Sequence, residues 1–158
     1  MLYRGRNRSK LWPFLPLAVG LLFVGGFVFR DFLFGDSLLL YKDGGSDSVN
    51  DYYPSFVHLS DYVRSHGFPS WSFSAGMGQD LSYLAGYLVL EPVIWLPKGL
   101  IASALVFQHL AKVFLAGLLF FGFLQLRGLK AVASLLGSLL VSFSAYMCMG
   151  ACWYPLAD

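Results

Sequence analysis

Three apolar runs, residues 11–29, 101–126 and 131–149, constrain this chain more than any other feature. Each is nineteen residues or longer, a length that predicts a membrane-spanning helix rather than the core helix of a soluble domain. The composition agrees: 158 residues, 57% hydrophobic, 18% aromatic and only 13% charged, with a mean hydropathy of +0.62. A soluble domain of this size has no interior large enough to bury so much apolar surface. The expected fold class is an all-α membrane protein with about three transmembrane helices and one large external loop carrying amphipathic and re-entrant helices.

Charge placement gives the expected orientation. Arg4, Arg6, Arg8 and Lys10 crowd the first ten residues, directly before the first apolar run. Beside a span such an arm is a positive-inside signal and not a nucleic-acid contact, so residues 1–10 are expected in the cytoplasm. A cleaved signal peptide fits poorly, because the run is too long and no small-residue cleavage pattern precedes Arg30 and Asp31. The stretch 81–97 is apolar but contains Glu91, Pro92 and Pro97. If it crossed, Arg127 and Lys130 would lie outside, against the same rule; if it dips or lies flat, both return to the cytoplasm. The expected order is span 11–29, external loop 30–100, span 101–126 running inward and span 131–149 running outward.

The external loop carries the candidate chemistry. Its segment 41–54, YKDGGSDSVNDYYP, repeats an aspartate every fourth residue at Asp43, Asp47 and Asp51. Carboxylates are scarce here, and an external one near the membrane plane suits proton abstraction from an attacking hydroxyl. A bland alternative for Asp51 is a helix cap. A helix is expected over residues 54–66, with Phe56, Leu59 and Val63 on one face and His58, Asp61 and Ser65 on another. Residues 68–80, FPSWSFSAGMGQD, read as an aromatic, glycine-rich loop. Without a βαβ unit its Gly76 and Gly78 do not signal a dinucleotide site. Trp71 and Phe73 serve either a ligand or the membrane interface.

Lys112 is an ionisable residue inside an apolar run, one turn after Gln108 and close to His109. It either meets a lipid phosphate, snorkels, or pairs with Glu91 or an aspartate. Cys148 and Cys152 are a helical turn apart and read as packing residues, since that spacing strains a disulfide and two thiols are too few for structural zinc. No histidine spacing suggests a metal site.

These stretches together carry a resemblance. A first span, YKDGGSDSVNDYYPSF, HGFPSWSFSAGMGQD, an apolar stretch containing EP, and a span containing HLAKVFLAGL resemble the N-terminal part of the YfhO-type bacterial multi-pass membrane proteins, which are similar to GT-C glycosyltransferases. The resemblance covers residues 11–158. It implies a bacterial cytoplasmic-membrane protein that transfers a sugar from a polyprenyl-phosphate donor to a cell-envelope glycopolymer of teichoic-acid type on the outer face. It also implies that this chain is the N-terminal piece of a longer protein. Asp47 matches the family's acidic position best, Asp51 stands where glutamine is commoner, and Asp43 is an additional candidate. Lys112, Gln79 and Trp71 are the expected substrate-binding residues, with Lys112 stabilising the departing lipid phosphate. Three aspartates in one loop permit a divalent cation held by oxygen ligands, which the sequence does not demand. The partners expected are membrane lipid, the lipid-linked sugar and the glycopolymer, with no nucleic acid. Two other classes compete: a non-catalytic scaffold, transport component or inactive fragment, and an ion-conducting segment using Glu91 and Lys112.

Overall fold

The computed structural model describes residues 14–40 and 48–149. Asp43 and Asp47 lie outside them, as do the basic arm, Cys152 and the expected aromatic belt at Trp153 and Tyr154. The described chain is mostly helical: α1 (Phe14–Val28), α2 (Arg30–Leu33), α3 (Tyr53–His66), the two-residue strands β1 (Trp71–Ser72) and β2 (Gln79–Asp80), α4 (Tyr87–Leu90), α5 (Lys98–Leu126), α6 (Ala131–Ser142) and α7 (Ala145–Met149). Short 3-10 turns at Ser82–Gly86 and Pro92–Trp95 flank α4.

Among the described residues one helix, α5, is long and apolar enough to cross a membrane. Its 29 residues rise about 43 Å, more than the roughly 30 Å hydrocarbon core of a bilayer. It begins three residues earlier than the apolar run suggests, because Pro97 ends the preceding turn in extended conformation and Lys98 opens the helix. At its other end Gly128, at φ +83°, closes a Schellman motif: Gly128 N–H donates to the Gln125 carbonyl and Leu129 N–H to that of Leu124. The left-handed conformation there favours glycine, and it turns the chain straight back into α6. Gln125 Nε2 then donates to Ser134 Oγ at 2.8 Å, fastening the two arms of this helical hairpin.

The continuous third span expected over 131–149 is instead two helices. α6 stops at Ser142 after 12 residues, and α7 restarts at Ala145 with Ser144 Oγ accepting from Met147 N–H. At about 18 Å, α6 by itself is shorter than a bilayer core. α1 comprises 15 described residues.

Two packing regions result. α1, α5 and α6 meet around Leu17, Leu21 and Phe121, with Phe29, Leu39 and Val106 forming a further cluster at the end of α1. Beside the start of α5, a cap made of α3, the hairpin and α4 encloses Phe56, Leu59, Tyr62, Leu81, Leu84, Val93, Ile94 and Ile101. The expected face of α3 is the one that packs, with Ser60 and Tyr62 buried beside Phe56 and Leu59. The residues before Pro54 are not extended, as its ring would favour, but form a π-helical turn, Ser48–Tyr52. That wider turn leads into α3 with Tyr52 already in a helical conformation. The stretch 68–80 is likewise more than a loop. Trp71 pairs with Asp80 and Ser72 with Gln79 in an antiparallel hairpin, and Gly78 at φ +109° lets the Trp71 indole lie against the backbone.

Close approach of α1, α5 and α6 depends on Gly117. A Cβ there would lie 2.5 Å from Ser142 Oγ and 2.9 Å from the Leu21 methyls, whereas at Gly122 it would meet nothing within 4 Å. Gly117→Ala should therefore destabilise the protein by about 1–3 kcal/mol through overpacking. Gly122→Ala should be neutral or stabilising by up to about 1 kcal/mol, as for alanine in any helix interior. Thermal unfolding of both variants in detergent micelles checks the pair.

Candidate polar site against α5

Glu91 sits where α4 ends and the next 3-10 turn begins, with non-helical backbone angles of φ −121° and ψ 78°. From Pro97 the chain runs back along α5 far enough for this side chain to meet residues about three to four turns into that helix. Lys112 Nζ donates to Glu91 Oε1 at 2.6 Å, and Gln108 Nε2 donates to Glu91 Oε2. The Gln108 carbonyl oxygen in turn accepts from Val93 N–H at 3.0 Å. Gln108 thus uses both ends of its amide to hold the turn. Glu91 is 1% exposed and the Lys112 side chain 19%. His109, on the same stretch of α5, is buried edge-on to Phe29 at 5.1 Å between ring centroids.

Of the roles open to Lys112, the structure selects pairing with Glu91. The ammonium is turned onto Glu91 of the 81–97 segment, because a buried carboxylate needs a counter-charge more than a partly buried lysine needs water. The segment itself is divided into turns of five, four and four residues, none long enough to cross a membrane alone.

The remaining described candidates, Asp51, Trp71 and Gln79, make no hydrogen bond to this cluster. Asp51 is exposed within the π turn, where Ser55 Oγ donates to its Oδ1 at 3.4 Å, and it does not cap α3. Trp71 and Gln79 are exposed on the hairpin, Trp71 edge-on to Phe73 at 6.1 Å. Residue-by-residue reading of the sequence passed over Asp80. Both its oxygens accept from Ser82, from the N–H at 2.9 Å and the hydroxyl at 2.8 Å, which holds its carboxyl below the usual range. The signal was present as Asp-Leu-Ser ahead of a helical turn, the pattern of a side-chain cap. Among the described residues no three His, Cys, Asp or Glu side chains gather as a metal site.

A ring of bonds joins the cap to the start of α5. Ser60 Oγ donates to the Leu96 carbonyl at 2.9 Å, Arg64 Nη2 to that of Trp95, and Lys98 pairs with Asp61 at 3.2 Å. The hairpin is held by Tyr62, whose hydroxyl meets Ser70 Oγ at 2.8 Å and donates to the Trp71 carbonyl at 3.0 Å. His58 Nε2 meets Ser72 Oγ at 3.2 Å.

Removing one partner of the buried pair should cost far more than removing both. Lys112→Met or Glu91→Gln alone is expected to destabilise by about 3–5 kcal/mol, and the double variant to recover most of that loss. A double-mutant cycle of chemical unfolding in micelles measures the coupling; additive losses would show that the two side chains do not act as a pair. No family model, no curated protein and no solved structure matches this chain.

Proposed function

We propose that the chain is a membrane-embedded helical unit whose aspartate stretch, Asp43 to Asp51, transfers a sugar from a polyprenyl-phosphate donor to an envelope glycopolymer outside the cytoplasmic membrane. The observation that carries the membrane part is an inverted burial pattern. On α6 the buried residues are Ser134, Ser138 and Ser142, while Val132, Leu136 and Leu140 are exposed. α1 and α5 likewise turn Leu22, Phe23, Phe27, Leu119 and Phe123 outward. Water would penalise such a surface, whereas hydrocarbon favours it, with small residues inside for close helix approach.

Support for the chemistry comes from the loop. Asp51 presents an exposed carboxylate at the entry to α3, and Asp43 and Asp47 precede it at four-residue intervals. In this reading Asp47 takes the proton of the acceptor hydroxyl as that oxygen attacks the anomeric carbon, and the lipid phosphate departs. Asp43 and Asp51 position the acceptor or share a cation. With its ammonium on Glu91, Lys112 is a positioning residue that holds 81–97 against α5. A second reading, a non-catalytic membrane scaffold, is favoured by that same mutual pairing of Glu91, Gln108 and Lys112, which leaves no unused base there.

Two measurements test the proposal. In a variant lacking Cys148 and Cys152, Ser74→Cys should react with an impermeant thiol reagent in intact cells and Arg127→Cys should not; the opposite result reverses the orientation. Asp47→Asn should lower sugar transfer by about a hundred- to ten-thousand-fold with normal membrane insertion, and Asp51→Asn by less. Unchanged transfer in Asp43→Asn, Asp47→Asn and Asp51→Asn alike would leave the scaffold reading.

A further inference from the structure

We infer that α1 and α5 form a groove for one hydrocarbon chain of a bilayer amphiphile whose head is an uncharged or cationic hydrogen-bond donor. This rests on the membrane reading above and goes beyond the transferase chemistry. The groove encloses about 580 Å³, within the range of small-molecule sites. Leu22 and Leu33 wall one side and Phe107 and Leu115 the other, with Gly25 and Gly26 between them, and every residue lining it is apolar. Leu22, Phe107 and Leu115 are also exposed, so the groove opens onto the same outward apolar surface as the rest of the helices.

What identifies the occupant is the hollow that adjoins it. Leu33 and Phe107 also border a second space of about 250 Å³, and there the lining turns polar with Asp36, Ser37 and Ser103. Ser103 lies near the start of α5, while Leu115 is about 18 Å further along the helix. Polarity thus falls along the groove-lining face of α5 from the start of the helix toward its middle, in the sense that a bilayer's polarity falls from head group to chain. The apolar length is comparable to one leaflet, half of the roughly 30 Å core.

The mouth also specifies the head group. Among the described residues its lining holds a carboxylate and two hydroxyls and no basic side chain. The Ser103 hydroxyl already donates to the Leu100 carbonyl at 3.1 Å, so its oxygen is left to accept. Such a mouth receives hydroxyl or ammonium donors and repels a bare phosphate or carboxylate. At Gly26, which lines the groove, an added Cβ would meet nothing within 4 Å, so a side chain can start there without meeting a neighbouring atom.

The test uses the whole chain in phosphatidylcholine nanodiscs doped with a photoactivatable monoacylglycerol, or with the lysophosphatidic acid of the same chain, and maps adducts by mass spectrometry. Monoacylglycerol should label peptides bearing Leu22 and Leu115. Gly26→Phe should reduce that labelling at least about tenfold, while Gly122→Phe retains it and Asp36→Asn removes the preference over the anionic lipid. Unchanged labelling in Gly26→Phe, or adducts spread evenly to Leu119, Phe123 and Leu140, would reduce the groove to ordinary lipid contact and overturn the inference. Protection of the groove in a dimeric particle would assign it to a second copy and overturn it as well. Carbonate washing of cell membranes separates the two levels: retention without groove labelling defeats the groove alone, and release into the supernatant defeats both the groove and the membrane reading.

Discussion

The contact between Glu91 and Lys112 decides how the middle of this chain is arranged. A carboxylate 1% exposed is tolerable only beside a counter-charge, and the ammonium at 2.6 Å supplies it. Because Lys112 projects from well inside α5, the 81–97 segment must follow that helix instead of leaving it. Gln108 reinforces the arrangement from one turn earlier, satisfying both the carboxylate and the Val93 N–H. The broken backbone at Glu91 is itself paired on both sides, its N–H donating to the Tyr87 carbonyl at 2.8 Å and its carbonyl accepting from Ile94 N–H at 3.0 Å.

From that anchor the cap assembles in sequence. Val93 and Ile94 come to lie against Ile101 and the packed face of α3, and the Ser60, Arg64 and Asp61 side chains close over the joint between Trp95 and Lys98. Tyr62 then carries the hairpin. The polar residues of α3 thus fall into three groups: those that tie the cap to the start of α5, Tyr62 and His58, which hold the hairpin, and those such as Ser65 that bond within their own helix. Hydrophobic burial brings the cap together, while these directional bonds fix its angle on the long helix.

The other half of the molecule follows a different rule. Its helices meet through Gly117 and the serines of α6 around a small core of Leu17, Leu21 and Phe121, and turn many of their other large side chains outward. A wholly apolar helix has no preferred face by hydrophobicity alone, so the choice falls to packing, where small residues allow the nearest approach. The same logic brings Leu110 of α5 down onto Gly25 and leaves the space at Gly26 open, as part of the groove.

By itself the sequence determined that the chain is helical and apolar, where α5 and α3 lie, and that the aspartates gather in one stretch before α3. These are local properties, written in run length, proline and glycine placement and the spacing of apolar residues. It also narrowed Lys112 to three roles. Only the tertiary structure decided among them, since pairing with Glu91 depends on how 81–97 folds back, which no local spacing encodes. The hairpin at Trp71–Asp80, the break after Ser142 and the groove beside Gly26 were hidden for the same reason. Each arises from contacts between segments distant in the chain, or from a turn whose geometry several sequences would allow, and the packing that selects among such alternatives exists only once the helices meet.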